Sequence, residues 1–478
     1  MKKNVRTAAL ISLGCVKNLV DSQGIASQLV ARGHEMTGAL DGAGVIVVNT
    51  CGFLESAVEE SIETIIRVAA YKEKGTCDCL VAAGCMIQRF GKKLVPLMPE
   101  VDLFVGTSHF HRLGTAIESW DAEGTRRLWI GPPRHLCDGE SVGCHATDFP
   151  LAYLKIAEGC SNRCSYCLIP RLRGPCRSRS IDEIAMEAAR LAAEGIKELN
   201  LVAQDTTAFG LDRGEEDALS RLLGVLETNV SPEWIRVLYC YPDRITGSLL
   251  RTIAASEKVL PYLDIPFQHC VPEILEGMGR KVGCRRVEDV LERIRFHLPG
   301  ATLRTTLMVG FPGETEKDFR ELIRFVERSE FDHLGVFAFS PEAGSRAARY
   351  PHQVPREIRE ERRGILMEVQ RGISRRKLMN KVGAVFPVLV EGYHQETEML
   401  LRGRLPSQAP EADGMVIITE GKAEIGEIIP AKITAAHDYD LEARLLREER
   451  QLSFGRPGGA SPERCSPHGA KRVPSERF

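Results

Sequence analysis

The chain of 478 residues contains no apolar run of bilayer length, which takes about 20 consecutive apolar residues, so no membrane partner is expected. Its 63 basic and 65 acidic residues leave a net charge of only −2, which excludes a molecule whose whole surface grips polyanions without specificity. It shows no internal repeat with a period of about 20–50 residues beyond a recurring strand–helix unit, which excludes a solenoid. The apolar stretch after Lys2 and Lys3 runs only from Ala8 to Leu13, shorter than the roughly 7–15 residues of an export signal. A cytoplasmic location is expected on that ground.

The most informative absence is a fourth cysteine. In the run Glu158-Gly159-Cys160-Ser161-Asn162-Arg163-Cys164-Ser165-Tyr166-Cys167 the spacing is C-x3-C-x2-C. A closed electron-transfer cluster takes four cysteines, and structural zinc takes four nitrogen or sulfur ligands. Three thiolates hold three corners of a four-iron cluster and leave one iron open to a small molecule.

What is present fits a globular protein of two to four domains: 43% hydrophobic and 27% charged residues. Fifteen cysteines, scattered through a chain without a secretory segment, fit metal or cluster ligation in a reducing compartment better than disulfides.

Residues 1–120 alternate apolar strands (8–13, 45–49, 80–83 and 103–105) with helical stretches, the pattern of an open parallel α/β sheet. Cys15, Cys51 and Cys85 each follow one of these strands by two residues. The C-terminal edge of such a sheet is where ligands bind, so three distant cysteines can form one site. Plain core thiols are the alternative reading. Residues 121–150, rich in Gly, Pro and charge, read as a linker carrying Cys137 and Cys144. Residues 151–375 repeat a strand–helix unit six times, as in a partial (β/α)6 barrel, with polar loops after each strand where barrel active sites are built. The cysteine triplet lies in the first of these loops. Gln204, Asp205, Gln268 and His269 lie in later ones, His269 reading chiefly as a scaffold residue. Gly310–Glu314 is Gly-rich but is followed by no Gly-Lys-Ser/Thr, so a backbone contact to a cofactor fits it better than phosphate binding. Residues 376–446 read as a small β-barrel, and 447–478 as a disordered tail. Cys77 and Cys79 form a C-x-C that competes on paper with Cys85.

These motifs resemble those of the radical S-adenosylmethionine methylthiotransferase family. The matching segments are 12–22, 49–53, 83–85, 153–167, 201–207, 264–269 and 310–315. Val16 stands where many members have proline. The resemblance implies that Cys160, Cys164 and Cys167 hold a [4Fe–4S] cluster whose open iron binds S-adenosylmethionine, with Gln204 and Asp205 facing that cofactor. Reductive cleavage would yield a 5′-deoxyadenosyl radical that removes hydrogen from an unactivated carbon, the hard chemistry being the cofactor's. It further implies that Cys15, Cys51 and Cys85 hold a second [4Fe–4S] cluster that carries sulfur. No catalytic residue is assigned beyond these ligands. The terminal barrel then resembles a TRAM domain.

The nearest subgroup by resemblance is the RimO type, which places a methylthio group on the β-carbon of an aspartate in small-subunit ribosomal protein twelve. The implied partners are that protein, alone or in a ribosome or assembly intermediate, with an electron donor and a sulfur source. The MiaB type, acting on tRNA adenosine, is the rival; another radical reaction and a non-catalytic RNA-binding metalloprotein are others. Charge bears on the choice. From Lys381 to Arg444 there are six basic and eleven acidic residues, a net of −5. Phosphate contacts dominate nucleic-acid affinity, whereas an acidic barrel complements a basic ribosomal protein. The Arg-rich stretch before it reads as a salt-bridged helix face.

Overall fold

The computed structural model describes residues 6–136, 150–280 and 287–446. The first sheet contains β1 (Arg6–Ser12), β2 (His34–Met36), β3 (Val45–Thr50), β4 (Cys79–Gly84), β5 (Leu103–Gly106) and β6 (Arg127–Trp129). Their order is β2-β1-β3-β4-β5-β6 and every pairing is parallel. β3 and β4 are buried along their whole length, because helices cover both faces of a parallel sheet. The short strand β2, the helix Leu113–Glu123 and the strand β6 extend what periodicity indicates, and β6 comes from the segment expected as a linker. Cys137, Cys144 and the expected tail lie outside the described residues.

The second sheet begins with β7 (Leu151–Lys155). A small antiparallel pair, β8 (Ala157–Glu158) and β9 (Arg177–Ser178), brackets the loop that carries Cys160, Cys164 and Cys167. The sheet continues with β10 (Glu198–Val202), β11 (Trp234–Val237), β12 (Val259–Asp264), β13 (Thr302–Val309) and β14 (His333–Ala338). The order β14-β13-β12-β11-β10-β7 is that of six parallel strands laid down in sequence, the partial barrel anticipated above. Helices wrap its outside. One, Ile181–Ala193, starts with a Ser180/Glu183 capping box, and another, Glu316–Ser329, with a Thr315/Asp318 pair, which satisfies the otherwise orphaned N–H groups of the first turn.

The third unit is a closed barrel of β15 (Val385–His394), β16 (Thr397–Arg404), β17 (Val416–Glu420), β18 (Ile428–Ala436) and β19 (Leu441–Leu445). The helix Arg356–Met379 leads into it. Most of its basic residues are paired with acids, among them Arg362 with Glu314, Arg363 with Glu360 and Arg376 with Glu330, which gives the expected salt-bridged face, while Arg359 donates to the Phe339 carbonyl.

The loop between β16 and β17 enters the open face of the parallel strands. Arg236 of β11 donates to Pro406 O at 2.9 Å, and Tyr262 of β12 donates to Asp413 Oδ2 at 2.7 Å. Arg304 of β13 meets Asp413 Oδ1 at 3.3 Å, and His333 of β14 meets Ser407 O at 2.7 Å. Beneath it, Glu198 lies between Arg236 and Arg404, and Arg404 also pairs with Glu391. All three members of the Glu198 triad are fully or almost fully buried. Breaking one member of a buried ion network leaves its partners uncompensated, at a cost of about 3–5 kcal/mol. Arg404→Met should therefore advance the first transition in urea unfolding, with the exposed Arg444→Met as a near-neutral control.

Candidate active site

Three loops at the C-terminal edge of the first sheet touch one another through glycine. Cys15 follows β1 by three residues, Cys51 follows β3 directly, and Cys85 follows β4 directly. Gly14 has φ +83, and a Cβ built on it would lie 2.8 Å from Cys51 Cβ. A Cβ on Gly52 would lie 2.5 Å from the Met86 backbone and 2.7 Å from that of Cys85. Only glycine permits loop approaches this close. A buried amide network locks the same edge: Asn18 donates to Leu13 O at 2.7 Å, and Asn49 donates to Asn18 O at 3.0 Å and Ser22 Oγ at 2.9 Å.

Cys77 and Cys79 sit at the opposite end of β4. At about 3.3 Å per residue the six-residue strand separates them from Cys85 by well over 15 Å, so the paper competition between them does not arise. Both are buried in the core of the sheet.

The triplet loop is fixed from several sides. Cys160 N donates to Gly174 O at 3.0 Å, and Ser165 donates from N to Met278 O and from Oγ to Gly277 O, each at 2.8 Å. Tyr166 OH accepts from Arg280 at 3.2 Å. Asp205 is a tether for this loop: its carboxylate accepts from Asn162 at 2.7 Å and Arg244 at 2.6 Å, and also from Thr207 Oγ1 and Ala208 N. Gln204 donates to Glu158 at 2.9 Å, while its carbonyl oxygen is buried without a protein partner. An orphaned acceptor of that kind is what a bound polar cofactor satisfies. His269 is wholly buried, with Nδ1 accepting from Val271 N at 3.0 Å and Nε2 standing 3.5 Å from Glu314. Glu314 in turn accepts from Gly310 N at 2.8 Å and pairs with Arg362 at 2.7 Å. The Gly310–Glu314 loop thus closes on its own glutamate.

The two thiol sets are neighbours. Cys85 packs with Phe53, Leu168 and Leu172 in one apolar cluster, and Leu168 directly follows Cys167. Beside it lies a cluster of buried charge. Lys155 pairs with Asp21 and with Glu158 at 2.9 Å; Arg173 pairs with Asp21 at 2.6 Å and reaches Asn18 at 3.1 Å and Cys85 Sγ at 3.4 Å. Burial pushes the Cys85 thiol up to about 12, Cys160 up to about 11 and Cys167 up to about 12, and neighbouring sulfurs add to each. Cys15 differs. It is exposed at the loop surface, yet the surrounding protein would raise its thiol; the charges of Lys17 and Arg173 and the backbone N–H groups of Asn18 and Lys17 outweigh that and hold it below its usual range. Among the described residues no three such side chains stand close enough to hold a single metal ion, and the fit to a larger iron–sulfur group rests on the loop contacts and on all-thiol donor sets.

A ribosomal protein uS12 methylthiotransferase RimO from Syntrophobacter fumaroxidans is 58% identical over 449 residues, 92% of this chain and 99% of the relative. The chain belongs to the RimO family. A second relative of the same description, from Syntrophotalea carbinolica, is 44% identical and covers 93% of this chain and 97% of its own length. Within this RimO-family chain, residues 7–106 match the uncharacterized protein family UPF0004, 154–326 the radical SAM superfamily and 382–446 the TRAM domain. The fold is shared with the radical S-adenosylmethionine methyltransferase TsrM from Kitasatospora setae, at 16% identity and a TM-score of 0.50, over 69% of this chain and 72% of that one. Membership of the radical SAM superfamily brings S-adenosylmethionine and one [4Fe–4S] cluster with it. No helix among the described residues is long and apolar enough to cross a membrane.

Sequence reasoning missed Arg173, Glu158 and Lys155 as site residues. Lys155 and Glu158 lie in the segment that leads into Cys160, while Arg173 carried no positional signal. Gly14→Ala forces a left-handed backbone and a clash with Cys51, at about 1–3 kcal/mol of local strain. It should speed hydrogen exchange at residues 51–53 and leave residues 160–167 unchanged.

Proposed function

We infer that this protein transfers a methylthio group from an iron–sulfur centre to the β-carbon of an aspartate in small-subunit ribosomal protein uS12. The supporting observation is the apolar contact that brings Cys85 against the residue after Cys167, which sets two three-thiol loops side by side. In this reading Cys160, Cys164 and Cys167 hold the cluster that binds S-adenosylmethionine, and Cys15, Cys51 and Cys85 hold a second one. When bound, these groups supply hydrogen-atom abstraction and the sulfur and methyl that are transferred.

The chain's own residues do the placing. Asp205, through Asn162 and Arg244, holds the triplet loop, and the Arg280–Tyr166 hydrogen bond fixes its last turn. Gln204 offers its free carbonyl oxygen to the cofactor. Phe53, Leu168 and Leu172 exclude water from the seam between the two loops, which strengthens every charge interaction inside it. Arg173 places a fixed positive charge against Cys85, and such contacts tune a cluster's potential.

The terminal barrel supports a basic protein as substrate. Glu391 and Asp413 are engaged in its docking to the parallel strands, while Glu396, Glu398, Glu411, Glu420 and Glu424 stay on its surface. Acidic groups there favour a Lys- and Arg-rich partner over a phosphate backbone. The electron donor, sulfur source and a ribosome-bound form of the substrate belong to the same reading.

Anaerobically reconstituted protein should carry about eight irons, as two four-iron clusters require. Replacing Cys15, Cys51 and Cys85 by Ala should remove about half of that iron while reductive cleavage of S-adenosylmethionine continues. Replacing Cys160, Cys164 and Cys167 should abolish cleavage. Mass spectrometry of uS12 after incubation with S-adenosylmethionine, reductant and sulfide should show a methylthio adduct on aspartate. An unmodified uS12 alongside methylthiolated tRNA would sink the assignment.

A further inference from the structure

Lys17 lies in the first turn of the helix Val16–Ala31, two residues beyond Cys15. Its ammonium stands 3.1 Å from the centroid of the Tyr239 ring. Tyr239 follows β11 on the other domain and has φ +61, a left-handed conformation that an aromatic residue adopts only when its surroundings enforce it. Those surroundings are evident: Tyr239 N donates to Asp264 Oδ2 at 3.1 Å, and its carbonyl accepts from Thr206 N at 3.0 Å. The ring is therefore a fixed platform held by the loops of two neighbouring strands.

Both thiol sets connect to this platform through short segments. Lys17 is two residues beyond Cys15. Two residues beyond Tyr239, Tyr241 packs its ring against Arg280 at 4.5 Å, and Arg280 bonds to Tyr166, the neighbour of Cys167. The acids of these segments already have cations. Asp21 and Glu158 pair with Lys155 and Arg173, Asp205 with Arg244, and Asp264 with Arg304. Among the described residues Lys17 pairs with none of them; its partner is the aromatic face. A cation on an aromatic ring is held in place and partly stripped of water, yet its charge is not neutralised. An anion arriving there therefore meets a positioned positive charge.

We propose that Lys17, seated on Tyr239, binds the carboxylate of the acceptor aspartate and so selects an acidic side chain at the reacting carbon. This rests on the functional reading above. Taking a carboxylate out of water costs desolvation unless a cation meets it, and a charge-assisted hydrogen bond to an ammonium supplies that. The β-carbon next to the carboxylate is then held beside Cys15. Asparagine, of the same shape but neutral, loses the charge term.

The test uses full-length, iron-loaded protein with S-adenosylmethionine and no reductant, so that nothing turns over. Fluorescence anisotropy compares a labelled uS12 peptide carrying the acceptor aspartate with its asparagine analogue. The wild type should prefer aspartate by about 10- to 100-fold, the ratio corresponding to one hydrogen bond to a charged group. Compared at equal iron content, Lys17→Met should bring the aspartate peptide down to the asparagine level and leave the asparagine peptide unchanged, and Lys17→Arg should restore most of the preference. A Lys17→Met protein that keeps the preference, or that weakens both peptides equally, overturns the proposal. So does a result in which the variant loses only competition by added sulfide, since the anion would then be inorganic sulfur. If the wild type methylthiolates uS12 while Lys17→Met keeps its preference, this inference alone fails. If the wild type binds and modifies neither, the functional reading fails with it.

Discussion

The buried charge cluster of Asp21, Lys155, Glu158 and Arg173 is the constraint on which the site depends. Asp21 belongs to the N-terminal sheet domain; the other three belong to the barrel. Two cations and two carboxylates leave water together, so each is tolerable only in the presence of the others. The cluster thereby specifies one docking of the two domains. It also extends directly to the chemistry: Arg173 touches Cys85, and Glu158 accepts from Gln204. A second docking point repeats the device, with Arg89 on the helix that starts at Cys85 pairing with the buried Glu342 beyond β14.

Around this joint the chain tolerates backbone strain at two non-glycine residues on strand-end loops, Tyr239 and Gln268. Gln268 is held by Thr306 O at 2.8 Å and by Met308 N at 2.7 Å. Strain of this kind persists only where neighbours enforce it and gathers at functional sites. Both residues lie at the C-terminal edge of the parallel strands, where barrel sites are built. At the other end of those strands, the loop carrying Pro406 and Asp413 closes the open face, and it anchors the terminal barrel to the same body.

Much of this was legible before any coordinates. Alternating apolar strands and helices marked both parallel sheets, and the C-x3-C-x2-C loop stood alone as an open-cluster motif. What escaped were elements with weak patterns: the three-residue strands β2 and β6, the two-residue pair β8 and β9, and the last barrel strand, β19. The two- and three-residue pieces are too short to show a period and form because a neighbour offers an edge, while β19 alternates but is followed directly by the polar stretch from Arg447 that reads as a tail. Asp205 illustrates a second limit. Its loop position pointed toward the cofactor, but its carboxylate binds Asn162 and Arg244, a relation between three loops that no local pattern encodes.

The sequence by itself determined the strand-end positions of the cysteines and the open spacing of the C-x3-C-x2-C loop, because hydrophobic period and cysteine spacing are local properties. Only the tertiary structure decided which cysteines lie near one another. Cys77 and Cys79 are close to Cys85 along the chain but lie a full strand away, whereas Cys85 meets Leu168 from more than 80 residues off. Parallel strands bring residues together by their place along the strand rather than by distance in sequence, and buried charges then hold that arrangement because their separation leaves them unpaired.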